Sequence, residues 1–381
     1  SLVVMTQLAL TNSLSLHHNF IPNYRPFSSQ SQILLLHPSP FLRFTRQPLH
    51  PRFIVSSVHQ PEPDRVPPLN ALKEDLLLKS QQQGSQLKNR VVFGLGIGIS
   101  AGAIILAGGW VFAAAMAAAV FAGSREYFEL IGSQGITEGM TPPPLYVSRV
   151  CSVICALMPL YVMYRGHIDV SVTSAAFVLA MALLVQRGNA RFAQLTSAIF
   201  GLFYCGYLPS FWVKLRCGLA APALNTSLGT TWPVLLGGQA HWTVGLVATL
   251  ISISSIIAAD TFAFIGGKAF GRTPLTSISP KKTWEGTIVG FCGCIATSLV
   301  LSKVFSWPAS PLSAIALGIL TFLGSVFGDL TESMIKRDAG VKDSGSLIPG
   351  HGGVLDRADS YVFTGALAYS FVKTFLPLYG V

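Results

Sequence analysis

The segment from residue 312 to residue 372 places charged residues between two apolar runs, and this arrangement decides the fold. The apolar run LSAIALGILTFLGSVFG (312–328) leads into DLTESMIKRDAGVKDSGSLIPGHGGVLDRADS (329–360), and YVFTGALAYSFV (361–372) follows. Ten charged residues fall between Asp329 and Asp359. A helix of about 20 apolar residues spans a lipid bilayer. The pattern therefore predicts two membrane helices joined by a charged segment.

The composition of the whole chain also indicates a membrane protein. Of its 381 residues, 51% are hydrophobic and 11% are charged, and the mean hydropathy is +0.54. Soluble domains carry about 25% charged residues. The formal net charge of +10 comes without a basic stripe interleaved with aromatic residues, which argues against a nucleic-acid partner. Short basic loops between membrane helices account for the excess of positive charge.

Long uncharged runs predict an all-α, polytopic integral membrane protein of roughly eight to ten transmembrane helices. The first run, 91–123, is long enough for two short helices broken near Gly108 and Gly109, or for one long tilted helix. The other predicted spans are 145–164, 168–186, 193–213, 229–239 (a weak one), 242–266, 286–302, 308–328 and 361–379. Gly and Ala are frequent in these runs, which suits close helix packing in lipid.

Three regions are predicted along the chain. Residues 1–61 contain no Asp or Glu and are rich in Ser, Pro and Arg, which is typical of an organelle transit peptide. We expect this leader to be disordered. Its Ser and Pro content favours a plastid over a mitochondrion, and a disordered cytosolic tail is the alternative. Residues 62–90 predict a polar linker, and residues 91–381 predict the transmembrane domain.

One helix face carries the first polar residues after the apolar run. Asp329, Glu332, Ser333 and Lys336 fall at i, i+3, i+4 and i+7, so they share one face of a helix. Because charged groups that face lipid cost several kcal/mol, we expect this face to point into the protein or into a wet cavity. Ionisable groups at such a depth are candidates for function.

The segment DAGVKDSGSLIPGHGG (338–353) is rich in glycine and predicts a loop. Glycines let backbone N–H groups approach an anion closely, and Lys342 and His351 add further donors. Cationic residues, glycines and carboxylates together suit phosphoryl or nucleotidyl transfer. The alternative is a solvated loop between two spans.

Three carboxylates in this part of the chain are able to converge. They belong to Asp329, Asp356 and Asp359. A hard cation such as Mg²⁺ binds one or two carboxylates together with substrate phosphates. The charged segment therefore predicts a site for a divalent cation and a phosphate-bearing substrate.

A second polar segment, DTFAFIGGKAFGRTPLTSISPKKTWEG (260–286), lies upstream. Asp260 stands near the end of an apolar run, and Lys268 and Arg272 accompany the glycines. The loop SPKKTWEG (279–286) combines two lysines with one aromatic residue, which suits a polyphosphate and a stacked base. The alternative is a basic loop that only sets membrane orientation.

The order of residues from 333 to 359 resembles the signature of phosphatidate cytidylyltransferases, also called CDP-diacylglycerol synthases. The matching positions are Ser333, Lys336, Arg337, Lys342, Asp343, Pro349, His351, Gly352, Gly353, Asp356, Arg357 and Asp359. The 260–286 segment is similar to a stretch that precedes the signature in that family. Ala358 stands where the family usually has a bulkier apolar residue, and Phe262 stands where many members have Gly. The resemblance covers about residues 90–381.

The resemblance implies a membrane-embedded enzyme that joins CTP and phosphatidic acid into CDP-diacylglycerol and pyrophosphate. It also implies Mg²⁺, or another divalent cation, held by Asp329 and Asp356. The implied catalytic residues are Asp329, Asp356, Lys336, Arg337 and Asp359. The implied substrate-binding residues are Lys342, Asp343, His351, Gly352, Gly353, Arg357, Asp260, Lys281, Lys282, Thr283, Trp284 and Glu285.

The expected partners are CTP, phosphatidic acid and the lipid bilayer, and the family further implies a homodimer. The expected location is a plastid membrane, the inner envelope, with the mitochondrial inner membrane as the alternative. The product would serve phospholipid synthesis of the phosphatidylglycerol type. Two other functions stay open: a CTP-dependent polyprenol or phytol kinase, and a membrane transporter. The first half of the chain holds no counterpart of the charged segment, whereas transporters often have two related halves.

Overall fold

Helices account for most of the chain that the computed structural model describes, which is residues 94, 96–137, 141–185, 191–223, 241–348 and 352–376. The helices of ten residues or more in these ranges are α1 (Gly96–Ala107), α2 (Gly109–Ile131), α3 (Leu145–Arg165), α4 (Asp169–Val185), α5 (Phe192–Gly218), α6 (Val244–Phe270), α7 (Trp284–Phe305), α8 (Pro311–Asp338) and α9 (Leu355–Ser370). The same ranges contain no β-strand. The predicted transit peptide, the linker and the weak span 229–239 lie outside the described residues.

Helices α1 and α2 meet at a break. Gly108 has φ 62° and ψ −155°, and Gly109 has φ 53°, which are conformations that suit glycine. Arg216 of α5 is buried here and donates a hydrogen bond to the Ile105 carbonyl (2.7 Å) and one to the Leu106 carbonyl (3.0 Å). The arginine thus satisfies carbonyl groups that are left without partners where α1 ends. Of the two alternatives for residues 91–123, the pair of helices is confirmed.

Polar caps and a proline fix where three long helices begin. The Thr243 hydroxyl accepts a hydrogen bond from Leu246 N (3.2 Å) at the start of α6. The Thr283 hydroxyl accepts one from Gly286 N (3.2 Å) at the start of α7. Pro311 occupies the first turn of α8, where its missing N–H needs no partner. The chain therefore enters each of these helices at a defined residue.

Helix α6 packs along α7, and α8 packs along α9. Glycines permit the backbones to come close. A Cβ atom on Gly290 of α7 would lie 2.8 Å from the Ala259 carbonyl oxygen of α6, and one on Gly328 of α8 would collide with the Asp359 backbone of α9. Small residues at helix crossings are typical of membrane bundles. These contacts bring the two predicted polar segments onto neighbouring helices.

The predicted spans agree with the described helices. Helices α3 to α9 overlap the seven predicted spans that fall wholly or mostly on described residues. Helix α9 begins at Leu355, six residues before its predicted start at 361. Among the described helices, α3, α5, α6, α7 and α8 are long and apolar enough to cross a membrane. The predicted all-α, polytopic class is confirmed. Four helices run three or more residues past their predicted ends: α5 to Gly218, α6 to Phe270, α7 to Phe305 and α8 to Asp338. In α8 the extension is polar, and its side chains find partners inside the protein.

The break between α1 and α2 yields a first prediction. We expect Gly108→Ala to lower the free energy of unfolding by about 1–3 kcal/mol. L-residues rarely adopt this backbone conformation, and the added Cβ would lie 2.5 Å from Nη2 of Arg216. Thermal unfolding of the detergent-purified protein measures the effect. Gly109→Ala is the matched control, because its φ is also positive but no heavy atom lies within 4 Å of the added Cβ. Equal destabilisation by both variants would show that the Arg216 contact is unimportant.

Candidate active site

The predicted polar face of α8 is present, and it points into the protein. Helix α8 continues without interruption from the apolar run through Asp338, so Asp329, Glu332, Ser333 and Lys336 share a face as predicted. The side chain of Glu332 is fully buried, and that of Lys336 is 12% exposed. Because such groups are costly to bury unless they are paired, their partners define the site.

Lys336 joins α8 to α9 through two carboxylates. Its Nζ lies 2.6 Å from Glu332 Oε2 and 2.6 Å from Asp356 Oδ1. The other oxygen of Asp356 accepts hydrogen bonds from the backbone N–H groups of Ser344 (2.8 Å) and Gly353 (2.9 Å). Burial opposes ionisation of Asp356, but these donors outweigh it and lower its pKa to about 2. Asp356 is therefore a carboxylate at neutral pH.

A second lysine reaches the same region from the loop before α7. Lys282 forms an ion pair with Asp329, whose other oxygen accepts a hydrogen bond from the Ser333 hydroxyl (3.3 Å). Asp359, in the second turn of α9, interacts electrostatically with Lys336 and Lys282 and also contacts Glu332. We name Lys282, Asp329, Glu332, Lys336, Asp356 and Asp359 the acid–base cluster.

A polar cavity of about 480 Å³ opens beside this cluster, between α6, α7 and α8. Its charged lining residues are Asp260, Lys268, Lys281, Lys282 and Asp329. Gly267 and Gly286 also line it, and they pack closely where α6 meets α7, since a Cβ on Gly286 would lie 3.0 Å from Gly267 Cα. The two polar segments that the sequence predicts, around 260–286 and 329–359, thus meet at one place. The cavity supplies cations for an anionic ligand, and the cluster supplies carboxylates beside them.

The predicted basic loop 279–286 ends at Thr283, three residues earlier than predicted. Helix α7 begins at Trp284, because the Thr283 cap starts the helix there. The Glu285 carboxylate accepts hydrogen bonds from Arg272 N (3.2 Å) and from the Thr273 hydroxyl (2.7 Å), so it fastens the loop that precedes α7. Trp284 is 54% exposed and does not line the polar cavity.

The remaining predicted residues lie at the edge of the site. Arg337 donates to the carbonyls of Ile278 (3.3 Å) and Val341 (3.2 Å) and so ties the end of α8 to the basic loop. Lys342, Asp343 and Arg357 are exposed.

The glycine-rich segment is described only in part. Gly352 has φ 82°, which favours glycine. Gly353 donates its backbone N–H to Asp356. His351 lies outside the described residues.

Sequence reasoning missed Glu126, a buried carboxylate of α2. Its Oε1 accepts a hydrogen bond from Val354 N (2.9 Å), and its Oε2 accepts from Leu355 N (2.8 Å) and from the Ser344 hydroxyl (2.9 Å). A carboxylate at a helix N-terminus satisfies free N–H groups and complements the helix dipole. Glu126 therefore fixes the start of α9, where Asp356 lies. No signal in the sequence separates Glu126 from the exposed Glu129, because the partners of Glu126 lie 218 to 229 positions further along the chain.

Carboxylates outnumber lysines in the acid–base cluster. Four carboxylates stand against two lysines, so negative charge is in excess when all are ionised. The Glu332 oxygens receive no well-oriented hydrogen bond from a described residue. Across the described ranges, no group of three or more His, Cys, Asp or Glu side chains is placed so that it could hold a metal ion.

Comparisons with known proteins point in one direction. Residues 88–375 match the Cytidylyltransferase family. The chain is 76% identical over 301 residues to phosphatidate cytidylyltransferase 4, chloroplastic, of Arabidopsis thaliana, covering 79% of this chain and 77% of the relative. It is 71% identical over 307 residues to phosphatidate cytidylyltransferase 5, chloroplastic, of the same plant, covering 80% and 77%. It is 41% identical over 287 residues to phosphatidate cytidylyltransferase of Synechocystis sp., covering 74% and 95%.

The contacts of Glu126 yield a second prediction. We expect Glu126→Gln to lower the free energy of unfolding by about 1.5–3 kcal/mol, because an amide group replaces one of the two acceptor oxygens that face buried donors. It should also speed proteolytic cleavage in the 339–354 loop. Thermal unfolding and limited proteolysis measure these effects.

Glu129→Gln is the matched control. Glu129 lies one turn further along α2, where it is 64% exposed and pairs with Arg125. An exposed pair of this kind contributes about 0.3–0.5 kcal/mol. Similar behaviour of the two variants would contradict the anchoring role of Glu126.

Proposed function

Because the chain belongs to the cytidylyltransferase family, we propose that it transfers the cytidylyl group of CTP to phosphatidate. The products are CDP-diacylglycerol and pyrophosphate. The chain is a membrane-embedded nucleotidyltransferase of the plastid, as its chloroplastic relatives and its apolar helices support. The observation that carries the proposal is the polar cavity beside the acid–base cluster, because the reaction must bring two polyanions together at the level of the bilayer.

The polar cavity is the proposed site of CTP. Lys268, Lys281 and Lys282 line it, and their ammonium groups would offset the charge of the triphosphate. Lys282 also pairs with Asp329, so it links the nucleotide side of the site to the acid–base cluster. The loop that ends at Thr283 is fastened at its start, because Arg272 donates its backbone N–H to the Glu285 carboxylate. A fixed loop favours one orientation of the bound nucleotide.

The lipid phosphate is the proposed nucleophile. A phosphate monoester has its second pKa at about 6, so it is mostly a dianion at neutral pH and needs little help from a general base. One of its oxygens attacks the α-phosphorus of CTP and forms a new P–O bond. The bond from the α-phosphorus to the bridging oxygen of the β-phosphate breaks, and pyrophosphate leaves with that electron pair. Cationic side chains lower the repulsion between the two anions.

Four cationic residues are proposed to hold the phosphates: Lys336, Arg337, Lys342 and Arg357. Lys336 already bridges two carboxylates, so it is positioned before a substrate arrives. We propose that Gly352 and Gly353, with His351, shape the phosphate loop, and that Asp343 and Asp359 support it.

We propose that Asp329 and Asp356 would hold Mg²⁺ together with phosphate oxygens of the substrates. Such a cation would neutralise the charge that develops during the reaction and would align the phosphates. Within the chain, Lys282 pairs with Asp329 and Lys336 pairs with Asp356. These ion pairs hold both carboxylates in place before a substrate binds. We also propose that the enzyme is a homodimer and that its membrane is the inner envelope of the plastid.

One experiment tests the reaction. Purified protein is incubated with CTP, MgCl₂ and phosphatidate in detergent micelles, and pyrophosphate, CDP and the lipid product are measured. We expect equal amounts of pyrophosphate and CDP-diacylglycerol. Release of CDP with phosphorylation of an added polyprenol would identify a kinase instead. Solute uptake into proteoliposomes without consumption of CTP would identify a transporter.

The proposed cation ligands yield a third prediction. We expect Asp329→Asn and Asp356→Asn each to lower kcat by about 100-fold or more, because each removes a charge that holds the cation and the phosphates. Steady-state pyrophosphate release over a range of MgCl₂ concentrations measures the loss.

Asp338→Asn is the matched control, since Asp338 is exposed at the end of the same helix, and it should behave as the unmodified enzyme. Near-normal activity of both site variants, with unchanged unfolding temperatures, would remove the two residues from the cation site.

A further inference from the structure

A second cavity, which we name the apolar groove, lies on the other side of α9 from the acid–base cluster. It has a volume of about 290 Å³ and is lined by residues of α1, α2, α5, α6 and α9. Small residues of α2 form one wall, among them Ala115, Ala119 and Gly123, and Ala358 lies on the opposite wall. The small side chains leave open a channel that larger ones would fill.

The groove is apolar except at one end. Arg357 is the charged residue among its described lining residues, and it is exposed. An apolar channel with a cation at its rim matches the chemistry of an anionic lipid, whose phosphate and acyl chains need opposite surroundings. A nucleotide or a soluble metabolite would find too few polar partners there.

The first two turns of α9 connect the groove to the acid–base cluster. Arg357, Ala358 and Tyr361 line the groove, whereas Asp356 and Asp359 contact the cluster. Arg357 directly follows Asp356 in the first turn of α9. A lipid phosphate beside Arg357 therefore lies near the end of the helix at which Asp356 meets Lys336.

From these contacts we propose that the apolar groove holds an acyl chain of phosphatidate while Arg357 holds its phosphate. This inference rests on the proposed function and adds to it a determinant of lipid specificity. Because lipid tails are as apolar as the groove, its walls supply little hydrophobic affinity. They act through close packing, which rewards a chain that fits and rejects one that does not. The groove thus selects among phosphatidates by the length and shape of their chains.

The test fills the groove from one wall. Ala119→Leu places a larger side chain in it, and Ala118→Leu adds the same side chain at the neighbouring residue, which does not line the groove. Both alanines are exposed, so neither change crowds the core. The probes are phosphatidates with dihexanoyl, dioctanoyl, dipalmitoyl and dioleoyl chains in mixed micelles at saturating CTP and MgCl₂.

We expect Ala119→Leu to lower kcat/KM for dioleoyl phosphatidate at least tenfold relative to dihexanoyl phosphatidate, without a change in the KM for CTP. Ala118→Leu should retain the chain-length profile of the unmodified enzyme. Arg357→Gln should lower kcat/KM for all four lipids by a similar factor, because each carries the same phosphate. If Ala119→Leu does not fold, Ala358→Leu fills the groove from the opposite wall and replaces it.

Three outcomes would count against the proposal, and they are distinguishable. An unmodified enzyme that makes no CDP-diacylglycerol from any of the lipids would overturn the proposed function itself. An active enzyme whose chain-length profile is unchanged by Ala119→Leu and by Ala358→Leu would overturn only the groove assignment. A variant that loses its oligomeric state in detergent, with equal loss for all lipids, would show that a second copy of the chain occupies the groove.

Discussion

The ion pairs of Lys336 with Glu332 and Asp356 are the contact on which the site depends. They join the last turns of α8 to the first turn of α9, and Ser344, between these helices, donates its backbone N–H to Asp356. Removing one member of a buried ion pair costs about 3–5 kcal/mol, because it leaves a charge without compensation. Glycine at 328 lets the two helix backbones meet, so the lysine can reach both carboxylates. The charged residues between Asp329 and Asp359 therefore also hold two helices together.

Helix α9 lies between two chemical environments. On one side are carboxylates, lysines and the polar cavity, and on the other is the apolar groove with Arg357 at its rim. The proposed reaction joins a water-soluble nucleotide to a lipid, so it needs both environments near one site. Asp356 and Arg357 are neighbours in the first turn of α9, and they face the cluster and the groove respectively.

Features that follow from helix periodicity and backbone freedom were predictable from the sequence. The shared face of Asp329 and Lys336 follows from a spacing that holds in any helix. The paired glycines made a break at Gly108 one of two alternatives for residues 91–123. Features that depend on distant packing were not predictable. Glu126 and Glu129 look alike in GSREYFELIG (123–132), and only a segment more than 200 positions later buries one of them. The sequence also did not reveal that Glu285 accepts a hydrogen bond from Arg272 N, because that contact depends on how the loop between α6 and α7 folds back.

The anchoring of α9 by Glu126 has a consequence for how the chain is made. The three donors of this carboxylate lie 218 to 229 positions further along the chain. At about 5–20 residues per second of synthesis, these donors emerge roughly 10 to 45 seconds after α2. During that interval a carboxylate on a newly inserted helix must stay near water or be shielded by the insertion machinery, since an unpaired charge in lipid is costly. The order of translation therefore leaves Glu126 without these three hydrogen-bond donors until α9 has been synthesised.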